Sequence, residues 1–524
     1  MQEKSLSGKV IINTVYNAAG RMWAFLIAFI LTPYIINKLG VERFGVWAII
    51  GVLTGYIGLL DFGIGSSFVK YISEFYTRKD YKKINEITVT GLIFYFFLAI
   101  LLIVGGFLLL NPLLSLFKIP APMCDEAAFV FLTGIIIFAL SNPFSVFSSI
   151  QGGLQRMDIS NKIYFIISIP NILGTIYVLE TGYGLPGLMI LSAIIFAITS
   201  IVNVVIAYKI FPDLNISLSF FKIETLKKLF NYGYKLQVAR LATLVAVHID
   251  KLLIGSYISI GLVVFYQLAG TIIEQAKAVI LLFVSALLPA FSELDAKGHK
   301  EKLVNLYVRG TKYLSYIAVP FFFLIFVLAP QIMHVWMGDG YEKSVWIIRI
   351  LAPGWLYALL AAVRGTFMQA VNRLDIEMRA GLVAAVVNIP LSLFFIVKFG
   401  ILGVALGTTI ALFFSATYSL VRLHRVLKIP IRNFLGQTVL WPLLLCSGAG
   451  LPVLFISVFY GSFLPGLSRG LNLAIFLSEI VFFSGLYLVI LCVAKPFDEI
   501  DRNILAEKIP LTKKLVFMLS KKRS

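Results

Sequence analysis

Six basic side chains fall inside otherwise apolar stretches of this chain: Arg21, Arg240, Lys251, Lys277, Arg349 and Arg364. Asp61, Asp250 and Glu274 are acids in similar settings. A charge at the centre of a membrane helix costs about 2.5–3.5 kcal/mol on insertion scales, so such groups are expected to face a wet cavity or a partner. Their chemistry is anion binding and ion exchange: ammonium and guanidinium groups hold anions, and the guanidinium fork matches phosphate. Six bases against three acids leave a positive balance, which predicts an anionic cargo. Arg21, Arg240, Lys251, Lys277 and Arg364 are the expected cargo-binding residues, and Asp61, Asp250 and Glu274 the expected ion-coupling residues. Glu274 and Lys277, three apart, can pair on one helix face. Asp250 and Lys251 are neighbours and point about 100° apart, so both do not reach one small target. Arg349 stands near the end of its stretch and reads as a snorkelling side chain. Two roles stay open for Asp61 within Gly58-Leu59-Leu60-Asp61-Phe62-Gly63-Ile64-Gly65: capping or salt-bridging near a helix end, or ion coupling. Arg21 likewise stands between cavity and interface.

The elements that must position these groups are membrane helices. Of 524 residues, 59% are hydrophobic and only 14% charged, against roughly 25% charged in a soluble domain. About 20 apolar residues span a bilayer, and the pattern predicts an all-α integral membrane protein of about fourteen spans. Six lie in the first half: Val10–Ile36, Phe44–Val69, Ile84–Leu110, Ala127–Ile150, Ser160–Leu179 and Pro186–Phe211. Six more are Tyr234–Ile258, Leu262–Ala290, Leu314–Leu328, Val345–Ala370, Ala380–Val397 and Leu402–Val421. Val439–Tyr460 and Leu471–Cys492 form an appended pair. The expected organisation is a six-helix bundle over 1–211, a linker with an interfacial helix over 212–233, a second bundle over 234–421, appended helices 13 and 14 over 422–492, and a basic tail over 493–524. The first span is too long for a signal-peptide core and lacks a small-residue cleavage site, so it is expected to be retained.

The formal charge of +19 is unevenly spread. Lys and Arg crowd the tails and the even-numbered loops and are sparse in the odd-numbered loops. That positive-inside asymmetry predicts both termini in the cytoplasm. The tail lysines are expected to lie against anionic lipid headgroups. Nucleic acid is not an expected partner, because no aromatic platform or binding motif accompanies these lysines.

The two bundles repeat one pattern. Arg156-Met157-Asp158-Ile159 recurs as Arg373-Leu374-Asp375-Ile376, and Asn171 as Asn388, at an offset of 217 residues. Gly184 and Gly187 recur as Gly400 and Gly403 at 216; Arg21 recurs as Arg240, and Ser73-Glu74 as Ser292-Glu293, at 219. Six spans per half give both copies the same orientation, a parallel repeat about an axis along the membrane normal, which is a transporter's build with its substrate site between the halves. The paired asparagines are expected either to bond between helices or to line a cavity.

Other chemistry finds no support. His248, His299, His334 and His424 lack metal-ligand spacing, and Cys124, Cys446 and Cys492 form no disulfide framework. No Walker lysine follows a glycine-rich loop. Neither cofactor nor metal is expected, and the chain is not expected to be an enzyme.

The run Leu59-Leu60-Asp61-Phe62-Gly63-Ile64-Gly65-Ser66, followed by Tyr71-Ile72-Ser73-Glu74, resembles the second-span signature of Wzx-type polysaccharide flippases. So does Gln151-Gly152-Gly153-Leu154-Gln155-Arg156, echoed at Gln369 to Arg373. These proteins form the polysaccharide transporter branch of the multidrug/oligosaccharidyl-lipid/polysaccharide (MOP) exporter superfamily. The resemblance covers nearly the whole chain. It implies two six-helix bundles around a V-shaped cationic cavity in the inner (plasma) membrane. It also implies flipping of an isoprenoid pyrophosphate-linked oligosaccharide to the outer leaflet; H+ or Na+ at the buried acids is the expected coupling ion, and polysaccharide-assembly proteins are expected contacts. The alternatives are a MATE-like drug exporter, a lipid II flippase, and, further off, a membrane glycosyltransferase or polymerase. Drug cargoes are usually cationic and favour acids, and the short outer loops leave an enzyme little room.

Overall fold

A computed structural model describes residues 6–285, 287–371, 373–461, 468–499 and 501. The chain divides into two compact units, Met1–Val264 and Phe265–Ser524. The first holds α1 (Leu6–Leu39), α2 (Val41–Ile57), α3 (Ile64–Thr77), α4 (Tyr81–Leu116), α5 (Cys124–Gly153), α6 (Met157–Glu180), α7 (Gly184–Ile210) and α8 (Ile223–Leu253). The helix α9 (Leu262–Ser285) leads into the second, followed by α10 (Leu287–Ala296), α11 (Lys300–Val327), α12 (Ala329–Met337), α13 (Glu342–Leu360), α14 (Ala362–Ala370), α15 (Leu374–Phe399) and α16 (Ile401–Leu427). The short α17 (Ile431–Leu435) precedes α18 (Trp441–Gly461) and α19 (Arg469–Ala494).

Among the described residues, 13 helices are long and apolar enough to cross a membrane. The expected fourteenth lies on α8, whose 31 residues reach about 46 Å, beyond the ~30 Å hydrocarbon core. Lys235, Gln237, Arg240, Asp250 and Lys251 interrupt its apolar character. The amphipathic stretch 224–230 runs into this span as part of the same helix.

In a bilayer the apolar side chains face out as well as in. On α4, Phe97 (65% exposed), Leu101 (64%) and Leu108 (75%) follow a helical stripe toward lipid, as helical periodicity requires. Behind it, Phe68, Tyr95 and Phe147 help fill the first unit's core, and Phe483, Val453 and Ala449 that of the appended helices.

The repeat is visible in local geometry. Arg156 and Arg373 precede α6 and α15 with φ, ψ of −102°, 49° and −109°, 44°, and each donates from Nε to the Asp two residues on at 3.1 Å. Gly184 and Gly400 open α7 and α16 at φ of +58° and +57°, a left-handed backbone that favours glycine. Asn388 and Asn171 divide the two roles open to them. Asn388, buried, donates to Thr408 Oγ1 at 3.3 Å between α15 and α16. Asn171 lines a cavity of about 290 Å³ in the first unit, with Ser148, Ser160, Thr199 and Asn203.

Candidate functional site: charges within the spans

The second span is not continuous as expected. After α2 the chain tightens into a 3₁₀ turn, Gly58–Asp61, then passes through Phe62 and Gly63 with φ of 53° and 74° before α3 begins. The Asp61 carboxylate accepts the backbone N–H of Gly63 at 2.6 Å and of Gly65 at 3.3 Å, satisfying donors that a helix start leaves open. Gln237 of α8 does the same for the other end of the break: its Nε2 donates to the carbonyls of Leu59 (2.7 Å) and Gly58 (3.3 Å). Ser67 of α3 donates to the Leu229 carbonyl at 2.9 Å. The backbones at Gly63 and Gly233 approach so closely that a Cβ on Gly63 would stand 2.2 Å from the Gly233 oxygen. Broken backbone at membrane depth is tolerated where protein groups re-satisfy it; here α8 supplies them. Asp61 thus makes the contacts of a capping carboxylate.

Further along α8, Asp250 is buried at 1% exposure and electrostatically coupled to the Tyr56 hydroxyl of α2. Lys251, in the last turn, is half-buried. The side chains of Arg21 and Arg240, and that of His248, lie outside the described residues.

In the second unit, Lys277 of α9 forms an ion pair with Glu274 at 2.7 Å, the contact their spacing permits. Its Nζ also stands 3.3 Å from the centroid of the Trp355 ring on α13, within range of a strong cation–π contact. Lys277 is 12% and Glu274 49% exposed at the side chain. Arg349 donates to the Phe326 carbonyl at 3.3 Å and lies 5.4 Å from the Trp346 ring centroid.

Arg364 is placed differently. It lies on α14, set off from α13 by a break at Ala361, and only 4% of it is exposed. Its guanidinium donates to the Ala416 carbonyl at 3.0 Å and is coupled to Tyr307 and Glu377. Tyr307 in turn meets His424 Nε2 at 3.0 Å. These contacts make Arg364 part of the packed interior of the second bundle.

Several polar groups were missed by sequence reasoning. Glu86 is 1% exposed and pairs with Lys83 (2.8 Å) and Lys222 (3.0 Å); the i, i+3 spacing to Lys83 was its signal. Glu479, 3% exposed, contacts Gln331 on α12; it is the one acid within Leu471–Cys492. Asp498 and Asp501 bind Arg309, a contact with no sequence pattern. Among the described residues, no group of His, Cys, Asp and Glu is arranged to hold a metal.

The profile of a family described as "Polysaccharide biosynthesis protein" matches residues 38–346. A putative O-antigen transporter of Shigella flexneri is 25% identical over 412 residues, covering 78% of this chain and 96% of the relative. The probable low-salt glycan biosynthesis flippase Agl15 of Haloferax volcanii is 22% identical over 388 residues, 73% of this chain and 77% of the relative. In fold, the chain is similar to the lipid II flippase MurJ in an inward closed conformation, with a TM-score of 0.68 at 16% identity over 92% of this chain and 98% of that one. An inward-facing MATE transporter of the MOP superfamily gives 0.66 at 17% identity, over 79% and 94%. The match to the family profile spans more than half of the sequence, and the chain belongs to the polysaccharide biosynthesis protein family as a Wzx-type flippase of the MOP superfamily.

Proposed function

We propose that this flippase carries an anionic, isoprenoid pyrophosphate-linked oligosaccharide from the cytoplasmic to the outer leaflet by alternating access, coupled to an ion. The observation that carries the reading is Lys277, an ammonium well inside an apolar span, stacked at 3.3 Å on Trp355 and paired, among the described residues, with a half-exposed carboxylate. Such a group, with Arg21, Arg240 and Lys251, favours an anionic headgroup. The polar glycan occupies the aqueous cavity while the isoprenoid tail stays in lipid. Asp250 and Glu274 are the acids left for ion coupling, since Asp61 is engaged as a helix cap. The charge bias supports cytoplasmic termini in an inner-membrane protein, where polysaccharide-assembly proteins would meet it.

A lipid II cargo is the second reading, favoured by the fold likeness to MurJ over 92% of this chain. One experiment separates the two. A strain lacking this protein should accumulate a lipid-linked oligosaccharide on the cytoplasmic leaflet, restored to the surface by wild-type protein. Arg240→Ala and Lys277→Ala should reach the membrane at normal levels and fail to restore it. Accumulation of lipid II instead, or full export by both variants, overturns the proposal.

A further inference from the structure

The appended helices carry a buried acid outside the repeat and outside the charges considered above. Glu479 sits on α19, ten residues beyond Arg469 at the helix start, so roughly 15 Å along the axis. It is 3% exposed, and its neighbours Gln331 of α12 and Ser457 of α18 are 0% and 4% exposed.

The hydrogen-bond inventory of this cluster does not close. The Gln331 amide nitrogen donates to Ser457 Oγ at 2.8 Å and to Glu479 Oε2 at 3.3 Å. The Ser457 hydroxyl donates to the Val327 carbonyl at 3.3 Å. That exhausts the side-chain donors. Glu479 Oε1 and Gln331 Oε1 remain buried without a partner among the described residues, and both are acceptors when the acid is ionised.

No neighbouring charge resolves this. On α12, His334 is held by Asp339 (3.0 Å) and Asn472 (2.9 Å). Arg469, at the head of α19, reaches the Met337 carbonyl at 3.5 Å. Arg349 of α13 is bound to the Phe326 carbonyl. Toward the other end of the cluster, Tyr487 donates to the Tyr316 carbonyl at 3.2 Å, and on α18 Cys446 lies three turns from Ser457. Among the described residues, none forms an ion pair with Glu479.

A buried carboxylate without a counter-charge takes a proton rather than remain ionised. A proton on Glu479 Oε1 makes the group neutral and turns that oxygen into a donor, for which Gln331 Oε1 is the unpartnered acceptor of the same cluster among the described residues. We propose that Glu479 is a proton-binding site, a neutral carboxylic acid at neutral pH held by Gln331, which Ser457 in turn positions. The site releases its proton only when α19 and α12 part enough for water to enter. The appended pair therefore carries a proton-responsive element of its own, whatever the cargo.

Infrared spectroscopy of the purified full-length protein in lipid nanodiscs tests this. The wild type at neutral pH should show the carbonyl stretch of a buried protonated carboxyl group, and Glu479→Gln should lack it while keeping wild-type thermal stability. Gln331→Leu, which removes the acceptor and leaves the acid, should shift the same band to higher frequency. A spectrum that neither variant alters shows Glu479 ionised and overturns the proposal. So does a wild type with no such band, even where Glu479→Gln fails to fold.

Discussion

The carboxylate of Asp61 accepts the backbone N–H of Gly63 at 2.6 Å, two residues ahead of it. A charge inside an apolar span is thereby spent on restarting a helix. An amide oxygen accepts the Gly63 bond and gives up the longer one from Gly65, so Asp61→Asn should lose little thermal stability and retain glycan export. Asp61→Ala loses the cap, at about 0.5–2 kcal/mol, and should unfold at lower temperature in detergent. An inactive but fully stable Asp61→Asn protein would instead assign the charge to ion coupling.

Lys277 depends on Trp355 for its position. Substituting Trp355 by Leu keeps the apolar bulk and removes the cation–π contact, worth about 0.5–2 kcal/mol. Export assayed in cells should fall by up to roughly thirtyfold, with normal protein in the membrane. Lys277→Arg should keep part of the activity and Lys277→Met none. If Lys277→Met supports normal export, Lys277 does not bind cargo.

The close contact of Gly63 with Gly233 predicts a folding defect. A Cβ on Gly233 would stand 2.6 Å from the Gly63 carbonyl carbon, and backbone on both sides leaves no flexible group to give way. Gly233→Ala should sharply reduce the protein recovered from membranes, measured by quantitative blotting against wild type. Normal recovery would show that α8 can shift away from the broken span.

Helix class and repeat were legible in the sequence because both rest on periodic, local signals: apolar runs of membrane length, and Arg-x-Asp motifs recurring at a fixed offset. The Glu274–Lys277 pair was legible for the same reason, since i, i+3 spacing fixes adjacency on a helix. The break after Asp61 was not, because its glycines permit a bend without requiring one. What requires it is the approach of α8 at Gly233 and Gln237, some 170 residues away in sequence. The surroundings of Arg364 were not legible either. A guanidinium in an apolar run reads as cavity-lining, whereas the Ala416 carbonyl and Tyr307, on distant helices, make it an interior group.

Interior placement gives Arg364 a signature distinct from that of a cargo ligand. Removing it takes away the guanidinium's bond to the Ala416 carbonyl and the nearby positive charge that Glu377 feels; losing a buried hydrogen-bond partner costs about 1–3 kcal/mol. Arg364→Met should lower the thermal unfolding temperature and the amount of protein in the membrane together. A stable, abundant Arg364→Met protein with no export would return this residue to cargo binding.

At the end of α19 the chain turns back onto α11, where Arg309 holds both Asp498 oxygens at 2.9 Å and also binds Asp501. Lys312 binds Asp501 at 2.7 Å. Burial raises the Asp498 carboxyl, but the hydrogen bonds from Arg309 and the Asp501 N–H, with the charges of Arg309 and Lys312, together outweigh it and hold the group below the ordinary carboxylate value. A depressed acid stabilises the folded state above its unfolded pKa, and that contribution fades as pH falls through the lower folded value. The clasp should therefore hold at neutral pH and open only in strongly acidic solution. Arg309→Ala should open it at neutral pH, exposing the segment after Ala494 to limited proteolysis while the helical bundles stay resistant. Equal cleavage of the Arg309→Ala and wild-type proteins at neutral pH would show that the ion pairs do not hold this segment.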